Sequence, residues 1–265
     1  ERGVKFFQKI TGTRVARGSY LTFGRYDQAD GMFLINANVG TTFDSSQSVN
    51  NIKFTGIDFE TDVETYMFDE LLHQICAYGV NNLKIDECNF KGFLSDAISV
   101  TGGIGDTTDK RGAYNGDITI TDCNFDGVNN DNRNAISIYY SDMFLISGCR
   151  FKNCTRTGMP GAIDVEVWVD TYRSIGGKIE KCRFDNIGGD AAVHILQSSE
   201  ADPSGFNLRN FIISDCVMEN VNRPLTVVGF GNHTTYKGNW KIVFRDSSVK
   251  NSNVMIRTDN AAGVL

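Results

Sequence analysis

Apolar and polar residues alternate strictly along several short segments of the chain. The clearest is GAIDVEVWVD, residues 161–170, in which four aliphatic residues alternate with three acids and a tryptophan. Successive side chains of a β-strand point to opposite faces, so this pattern predicts a strand with one buried face. The opposite face, with Asp164 and Glu166, is either a solvated acidic surface or the floor of a ligand site.

The same alternation recurs in an eight-residue motif. It is found as IKFTGIDF, LKIDECNF, ITITDCNF, FLISGCRF, GKIEKCRF, FIISDCVM and IVFRDSSV, beginning at residues 52, 83, 118, 144, 177, 211 and 242. The period of 26 to 35 residues is typical of a solenoid, in which each repeat leaves an apolar face for its neighbour to cover. The alternation within each copy indicates a strand rather than a helix.

Each motif is followed by a small turn residue and a second short strand. The second strands are AISV, AISIYY, AIDVEV, AVHILQ, PLTVVG and NVMIRT, between residues 97 and 258. The turn residues are Gly92, Gly127, Asn153, Asn186, Asn220 and Asn251. Because Gly and Asn tolerate left-handed backbone, this column predicts a sharp corner between two strands of each repeat.

Strand, corner, strand and loop, repeated without hairpin turns, predict an all-β fold, a single-stranded parallel β-helix of about seven or more coils. Equivalent residues then stack in ladders about 4.8 Å apart. One predicted ladder contains Ile57, Cys88, Cys123, Cys149, Cys182, Cys216 and Ser247, and its neighbour contains Phe59, Phe90, Phe125, Phe151, Phe184, Met218 and Val249. Both are expected to point inward, with the cysteines as small apolar core residues.

The cadence of VNNIKFTGIDF and GVNNLKIDECNF resembles that of the right-handed parallel β-helix superfamily, the pectate lyase-like proteins, and is closest in character to bacteriophage tailspike depolymerases. The resemblance covers about residues 50–258. It implies a groove along parallel strands that binds a polysaccharide. The aspartate-rich and GHG motifs of polygalacturonases and the calcium and arginine signature of pectate lyases are absent, so neither of those reactions is carried over.

We expect residues 1–49 to form N-terminal coils or an entry segment, with YLTF and MFLI as strands. Residues 50–265 are expected to form the β-helix body, one continuous domain and a fragment of a longer chain. The net charge of −6 does not favour a nucleic-acid partner. The sequence contains no run of eighteen apolar residues, so membrane insertion is not predicted. The seven cysteines lack a CxxC spacing, so we assign no metal and no cofactor.

Alignment of the second strands predicts two columns of outward side chains. The first contains Ser99, Ser137, Asp164, His194, Thr226 and Met255, and the second contains Thr101, Tyr139, Glu166, Leu196 and Val228. Asp164 and Glu166 have Cβ atoms roughly 6.5–7 Å apart on one strand, near the carboxyl separations that glycosidases use. We therefore predict Asp164, Glu166 and His194 as catalytic residues, with Asp164 and Glu166 as acid and base and with His194 orienting Asp164 or sharing its proton. An ordinary solvated face, or acids such as Asp96, Asp190 or Asp202, are the alternatives.

Long loops follow the second strands, and solenoid insertions often collect on the binding face. They carry rings and cations suited to the apolar faces and hydroxyl edges of sugars. The predicted substrate-binding residues are Tyr139, Trp168, Tyr172, Arg173, Arg111, Tyr114 and Trp240. The alternative is that the rings fold back and shield the coil.

Two classes of function remain open. The first is a tailspike-like depolymerase that binds and hydrolyses a bacterial surface polysaccharide or a teichoic-acid-like polymer, with a polysaccharide lyase as a variant. The second is a non-catalytic, glycan-binding or structural shaft of a phage tail or adhesin. Both predict a homotrimer, because a three-sided shaft with outward apolar residues such as Leu196 and Val228 could pack about a threefold axis. The reduced cysteine ladder favours a virion tail folded in the host cytoplasm over a secreted or cell-surface protein.

Overall fold

The fold is seen in a computed structural model that describes residues 3–8, 30–36, 49–63, 68–69, 72–101, 115–167, 173–197, 208–229 and 241–259. These residues form 23 strands in three parallel sheets, which we call A, B and C. The prediction of an all-β, right-handed parallel β-helix is confirmed. Within the described residues, no helix is long and apolar enough to cross a membrane.

The strands of the three sheets follow in chain order. Sheet A contains β1 (Val4–Gln8), β4 (Ile57–Thr61), β7 (Asn89–Lys91), β10 (Asn124–Asp126), β13 (Arg150–Cys154), β16 (Arg183–Ile187), β19 (Val217–Val221) and β22 (Ser248–Ser252). Sheet B contains β2 (Asp30–Asn36), β5 (Leu72–Tyr78), β8 (Ile98–Thr101), β11 (Ile136–Ile138), β14 (Gly161–Val167), β17 (Ala191–Gln197), β20 (Leu225–Gly229) and β23 (Ile256–Asp259). Sheet C contains β3 (Val49–Thr55), β6 (Val80–Asp86), β9 (Gly116–Thr121), β12 (Ser141–Ser147), β15 (Ser174–Glu180), β18 (Leu208–Ser214) and β21 (Ile242–Arg245).

Each coil runs from sheet C through sheet A to sheet B, so every strand pairs with its counterparts in the coils before and after it. The predicted motif spans the end of a sheet C strand and the start of a sheet A strand, and the second predicted strand lies in sheet B. The segment MFLI lies in β2 as predicted, whereas YLTF falls outside the described residues. The division at residue 49 stays a prediction, although β1 and β2 pair directly with β4 and β5.

The predicted phenylalanine ladder is confirmed. Rings of Phe59, Phe90, Phe125, Phe151 and Phe184 stack with centroids 4.7–4.9 Å apart and planes within 10° of parallel. Met218 and Val249 continue the column, and Phe6 of β1 extends it at the other end. The parallel strand spacing sets this ring separation, because each side chain is held directly above its counterpart.

The predicted cysteine ladder is confirmed as well. Its five cysteines are buried, and all seven cysteines of the chain are free thiols. Thiols of the ladder reach backwards to carbonyl oxygens of the preceding coil, as Cys123 does to Ile85 (3.7 Å) and Cys149 does to Ile120 (3.6 Å). The sulfur atoms therefore fill the corner between sheets C and A as part of the core.

Left-handed residues form the corners. In the predicted column, Asn153, Asn186, Asn220 and Asn251 have φ between 54° and 57°, and Gly92 has φ 64°. At Gly127 the prediction is wrong, because the neighbouring Val128 adopts the left-handed conformation instead (φ 70°). A second column lies directly before the cysteine ladder: Gly56, Glu87, Asp122, Gly148, Lys181, Asp215 and Asp246 all have positive φ. One residue there turns the chain from sheet C into sheet A.

The six central strands of sheet B are buried on both faces. The strands β5, β8, β11, β14, β17 and β20 contain only buried residues, including those whose alternation points them away from the core. Leu196 and Val228, which point outward, are each 5% exposed. They therefore do not supply the exposed apolar surface on which the sequence argument for a homotrimer relied, and the trimer itself stays a prediction.

Candidate functional site

An open depression of about 330 Å³ lies on the outer side of sheet B. It is lined by Gly158, Met159, Pro160, Glu166, Gly189, Asp190, His194 and Leu196. These residues come from β14, from β17 and from the segments that lead into them. Asp190 N donates to the carbonyl oxygens of Met159 (3.0 Å) and Pro160 (3.2 Å), so the two adjacent coils form a single wall.

Asp164 and His194 form a buried pair behind this depression. They are direct neighbours in the register of β14 and β17. Nδ1 of His194 lies 2.9 Å from Oδ1 of Asp164, and because a carboxylate only accepts, Nδ1 is the donor. Asn134 donates through Nδ2 to the other oxygen of Asp164 (3.2 Å). Asp164 is fully buried and His194 is 6% exposed, so the histidine is the member that lines the depression.

The pKa of His194 is raised above its ordinary value. Burial acts to lower it, but the hydrogen bond and the negative charge of Asp164, with the charges of Glu166 and Asp190, outweigh burial. The carboxylate of Asp164 therefore favours the protonated ring. With Nδ1 bound to Asp164, Nε2 is the ring nitrogen that remains for a group in the depression.

Glu166 lies two residues beyond Asp164 on the same face of β14 and is 5% exposed. Tyr139 lies on the outer face of the preceding coil, where its backbone N–H donates to Val100. The phenol oxygen of Tyr139 accepts from Arg133 (3.2 Å). Burial raises the pKa of Tyr139 well above its usual range, and the charges of Asp96, Glu166 and Asp164 add to that effect against Arg133. Tyr139 therefore stays neutral.

A second buried polar cluster lies two to four coils before His194. Arg133 donates to both carboxylate oxygens of Asp96 (2.8 and 3.0 Å). His73 is fully buried, with Nδ1 3.2 Å from Ser95 Oγ and 3.6 Å from Asp96 Oδ2. Burial lowers the pKa of His73, and Arg133 adds to this against the charges of Asp96 and Asp69. The ion pair of Asp96 with Arg133 joins two of these coils, and the hydrogen bond between His73 and Ser95 joins the third.

Asp190, at the rim of the depression, is held by two arginines. Arg223 donates to Oδ1 of Asp190 (2.6 Å), and Arg257 lies 3.4 Å from the same oxygen. Arg257 also pairs with Asp259. Arg223 and Arg257 come from the two coils that follow Asp190, so this rim is built from three successive coils.

The structure brings together four of the predicted site residues: Asp164, Glu166, His194 and Tyr139 all lie on the outer face of sheet B. Arg173 instead pairs with Asp142 of β12 through Nε (2.9 Å) and does not line the depression. Trp168, Tyr172, Arg111, Tyr114 and Trp240 lie outside the described residues. The catalytic and binding roles of all ten residues stay predictions.

The predicted first column is correct from Ser99 to Thr226, but its last member is wrong. Arg257, not Met255, pairs with Thr226. The reason is a longer corner in the last coil, where Asn253 and Val254 donate backbone hydrogen bonds to Asn222 and delay β23 until Ile256. The sequence alignment began this strand at Asn253, so at each position of the column it assigned the residue two places before the one observed.

Sequence reasoning missed most of the polar residues that precede the sheet B strands, and it named Asp190 only as an alternative acid. Arg133, Asn134 and Arg223 all lie two or three residues before the aliphatic start of their strand. A signal existed in the segments SDAIS, NRNAIS and GGDAAV, which place polar residues before the same alanine. Residues before a parallel strand stack between coils just as strand residues do, so these segments belonged in the alignment.

The donor set does not indicate a metal centre. Among the described residues, no three His, Cys, Asp or Glu side chains are grouped so that they could hold a metal ion. The charged groups of the depression are instead paired with one another, as in Asp164 with His194 and Asp190 with Arg223.

No protein-family model, curated protein or solved structure matches the chain. The fold is therefore established by the strand topology alone. The relationship to pectate lyase-like proteins and to tailspikes stays an expectation from the repeat cadence.

Proposed function

We propose that the protein binds a bacterial surface polysaccharide along the outer face of sheet B and hydrolyses it at the depression, as a tailspike-like depolymerase. The observation that carries the proposal is the hydrogen bond from His194 to the buried Asp164, beside Glu166 in the wall of an open depression. A histidine whose protonated form is favoured by its surroundings, next to a carboxylate, provides an acid and a base in one site.

In this proposal His194 is the general acid and Glu166 the general base. The protonated ring donates to the glycosidic oxygen as its bond to the anomeric carbon breaks, and Glu166 takes a proton from the water that attacks that carbon. One water is consumed, and one new reducing end forms. Asp164, which is fully buried, acts as a positioning residue that holds the tautomer and the charge of His194.

The backbone positions of the two groups allow an inverting arrangement. His194 is adjacent to Asp164 across one strand spacing, and Glu166 is two residues further along β14. Strand geometry then separates the backbone positions of Glu166 and His194 by roughly 8 Å. Inverting enzymes hold the two catalytic groups themselves about 6.5–9.5 Å apart so that a water fits between them, and rotation of the two side chains decides whether that separation is adopted here.

The test is incubation of the protein with a panel of bacterial surface polysaccharides, followed by assays of reducing ends and of chain length. We expect Glu166→Gln and His194→Gln each to lose at least about 100-fold in cleavage rate while still binding the polymer. Ser99→Ala is the matched control, because its hydroxyl lies in the same outward column, two coils away, and is buried without a hydrogen-bond partner. Full turnover by both site variants would contradict the mechanism.

A second candidate is a non-catalytic glycan-binding shaft. It is favoured by the burial of the outward side chains of β14 and β17, since Asp164, Glu166 and His194 are each no more than 6% exposed. Binding of a polymer without product after long incubation would support the shaft. A product that absorbs in the near ultraviolet would instead indicate a lyase, because elimination creates a conjugated double bond.

A further inference from the structure

The buried carboxylate of Asp164 is held from both sides. Its Oδ1 accepts from Nδ1 of His194 (2.9 Å), and its Oδ2 accepts from Nδ2 of Asn134 (3.2 Å). Asn134 belongs to the coil of β11 and His194 to the coil of β17, and these two strands pair with β14 on its two sides. Three successive coils therefore meet at one carboxylate, whose charge is shared between a ring that titrates and an amide that does not.

The neighbours of Asn134 determine which way its amide points. Asn134 is fully buried, its Oδ1 accepts from the backbone N–H of Gly161 (3.4 Å), and its Nδ2 also donates to Oγ of Ser137 (2.9 Å). Rotated by half a turn, the amide would place its oxygen against the carboxylate of Asp164 and its NH₂ group against the N–H of Gly161. The donor side of the Asn134 amide therefore faces Asp164 as part of the fold.

Asp96 and Asp164 are both fully buried, but their charges are balanced in different ways. Arg133 binds both oxygens of Asp96, and a guanidinium keeps its charge at every working pH. Among the described residues, the one cationic partner of Asp164 is His194, and a histidine loses its charge near neutral pH. When His194 is neutral, Asp164 is a buried anion held by neutral donors, a state that is costly unless those donors are well placed.

We propose that Asn134 is a positioning residue that stabilises the buried carboxylate of Asp164 once His194 has given up its proton, and that it thereby allows His194 to act as an acid. The inference rests on the proposed function, in which His194 donates a proton to the glycosidic oxygen. In that step the proton leaves from Nε2, and the ring becomes neutral while its Nδ1–H stays bonded to Asp164. Asp164 keeps its negative charge, and the amide of Asn134 supports that charge with a hydrogen bond.

Two different roles of Asn134 predict opposite changes at His194. A donor that supports the bare carboxylate more than the ion pair makes the loss of the proton easier, so its removal should raise the pKa of His194. A residue that only holds Asp164 in place keeps the carboxylate close to the ring, so its removal should lower the pKa of His194 towards the ordinary value. The direction of the change therefore separates the proposal from a purely structural role.

The test is an NMR titration of the ring of His194 in the wild type and in Asn134→Leu, whose side chain has a similar shape but no donor. The chain contains three histidines, and His194→Gln identifies the resonance by its loss. We expect the pKa of His194 to rise by about 0.5–1 in Asn134→Leu, a roughly three- to tenfold gain in proton affinity. The other charges that act on the ring, those of Glu166 and Asp190, are unchanged in the variant. An unchanged or lowered pKa would overturn the proposal.

Three further variants control the result. Asn134→Val removes the same donor with a smaller side chain and should also raise the pKa of His194, which keeps the test open when Asn134→Leu does not fold. Asn132→Leu should lose stability without a change in the pKa of His194, because Asn132 is a fully buried amide of the same segment that donates to the carbonyl oxygen of Asn153 (3.1 Å). In the Asp164→Asn background, Asn134→Leu should no longer raise the pKa, and an equal rise there would contradict an effect through Asp164.

Cleavage of a substrate polymer gives a second readout. The reaction needs the protonated ring, so the rate falls as pH rises through the pKa of His194. This alkaline limb of kcat/KM should move to higher pH in Asn134→Leu by the amount seen in the titration, while binding of the polymer is kept. Cleavage of no polymer in the panel would contradict the proposed function, and the titration would still decide the role of Asn134. Cleavage by a protein whose His194 pKa does not rise in Asn134→Leu would keep the hydrolase and overturn this inference.

Discussion

Burial acts on His73 and His194 alike, yet their pKa values move in opposite directions. The pKa of His194 is raised above its ordinary value, because the hydrogen bond to Asp164 and the negative charges of three carboxylates outweigh the effect of burial. The pKa of His73 is lowered below its ordinary value, because burial dominates and the positive charge of Arg133 disfavours a second positive charge on the ring. The difference comes from the partners. Asp164 is hydrogen-bonded to His194, whereas the carboxylate near His73, Asp96, is already bound to Arg133.

The two histidines therefore stabilise the fold in different pH ranges. The folded pKa of His194 is raised, so its contribution is full below about pH 6.5 and is lost as pH rises through the folded value. The folded pKa of His73 is lowered, so its contribution is present above about pH 6.5 and is lost as pH falls through the folded value.

We predict that Asp164→Asn removes the loss of stability that accompanies a rise in pH above about 6.5. The amide keeps the shape of the side chain but not the charge that raises the pKa of His194. The measurement is the free energy of unfolding in urea over a pH series. His194→Gln should give the same flat alkaline profile, whereas His73→Gln should keep the wild-type alkaline slope. An unchanged alkaline slope in Asp164→Asn would contradict the role of Asp164.

The left-handed corner before the cysteine ladder shows how an element constrains its sequence. Glycine occupies this position at Gly56 and Gly148, but Lys181 occupies it with φ 54°. A residue with a Cβ atom is strained in that conformation, whereas glycine is not. The corner is therefore imposed by the coil geometry, which overrides the preference of Lys181.

We predict that Lys181→Gly stabilises the protein by about 0.5–1 kcal/mol, because relief of the left-handed penalty exceeds the added entropy of the unfolded chain. Gly56→Ala should lose about 1 kcal/mol, since nothing lies within 4 Å of an added Cβ and only the backbone penalty acts. Gly148→Ala should lose at least as much, because its Cβ would also displace Oδ1 at the end of the Asp122 side chain. Urea unfolding measures all three, and a loss of stability in Lys181→Gly would contradict the argument.

At the scale of the whole molecule, the core is a continuous column that runs through the stacked coils. The phenylalanine and cysteine ladders give each coil an apolar surface that only the adjacent coils cover. Solenoids of this kind derive their stability from interfaces between neighbouring repeats. The coils at the two ends are the least covered, since β1, β22 and β23 contain mostly exposed residues.

We predict that the seven thiols are inert in the native protein and react only as the solenoid opens. All are buried, and burial raises the pKa of Cys76 to about 12. A thiol reagent with an optical readout at pH 8 should label the thiols of the native protein only as fast as the solenoid opens. In urea that unfolds the protein, all seven should be labelled together. Without urea, where only the end of the solenoid opens, Cys216 should react before the other thiols, because it lies next to the exposed last coil and its pKa is lowered by a hydrogen bond from Cys182.

The control is Lys152→Cys, at a position where the native side chain is 58% exposed; it should react immediately. Rapid native-state labelling of Cys123 or Cys149 would show that the ladder does not seal the corner. That result would contradict a core in which these sulfur atoms are enclosed by stacked coils.

The sequence by itself determined the repeat and its two inward ladders. Strand alternation and a recurrent eight-residue motif are local properties, and parallel stacking leaves few ways to arrange equivalent residues. Phe90 over Phe125, Cys88 beside Cys123 and Asp164 beside His194 follow from that register. The register failed only where loop length changed, as when Arg257 took the place expected for Met255.

Tertiary structure alone decided the surroundings of those residues. Alternation shows that Asp164 points away from the core, but not that it is fully buried and bonded to Asn134 and His194. Likewise, no local pattern pairs Arg133 with Asp96 or Arg223 with Asp190, since these pairs join coils 37 and 33 residues apart. Local periodicity sets the direction of a side chain, whereas burial and charge pairing depend on segments that are distant in sequence and close in space.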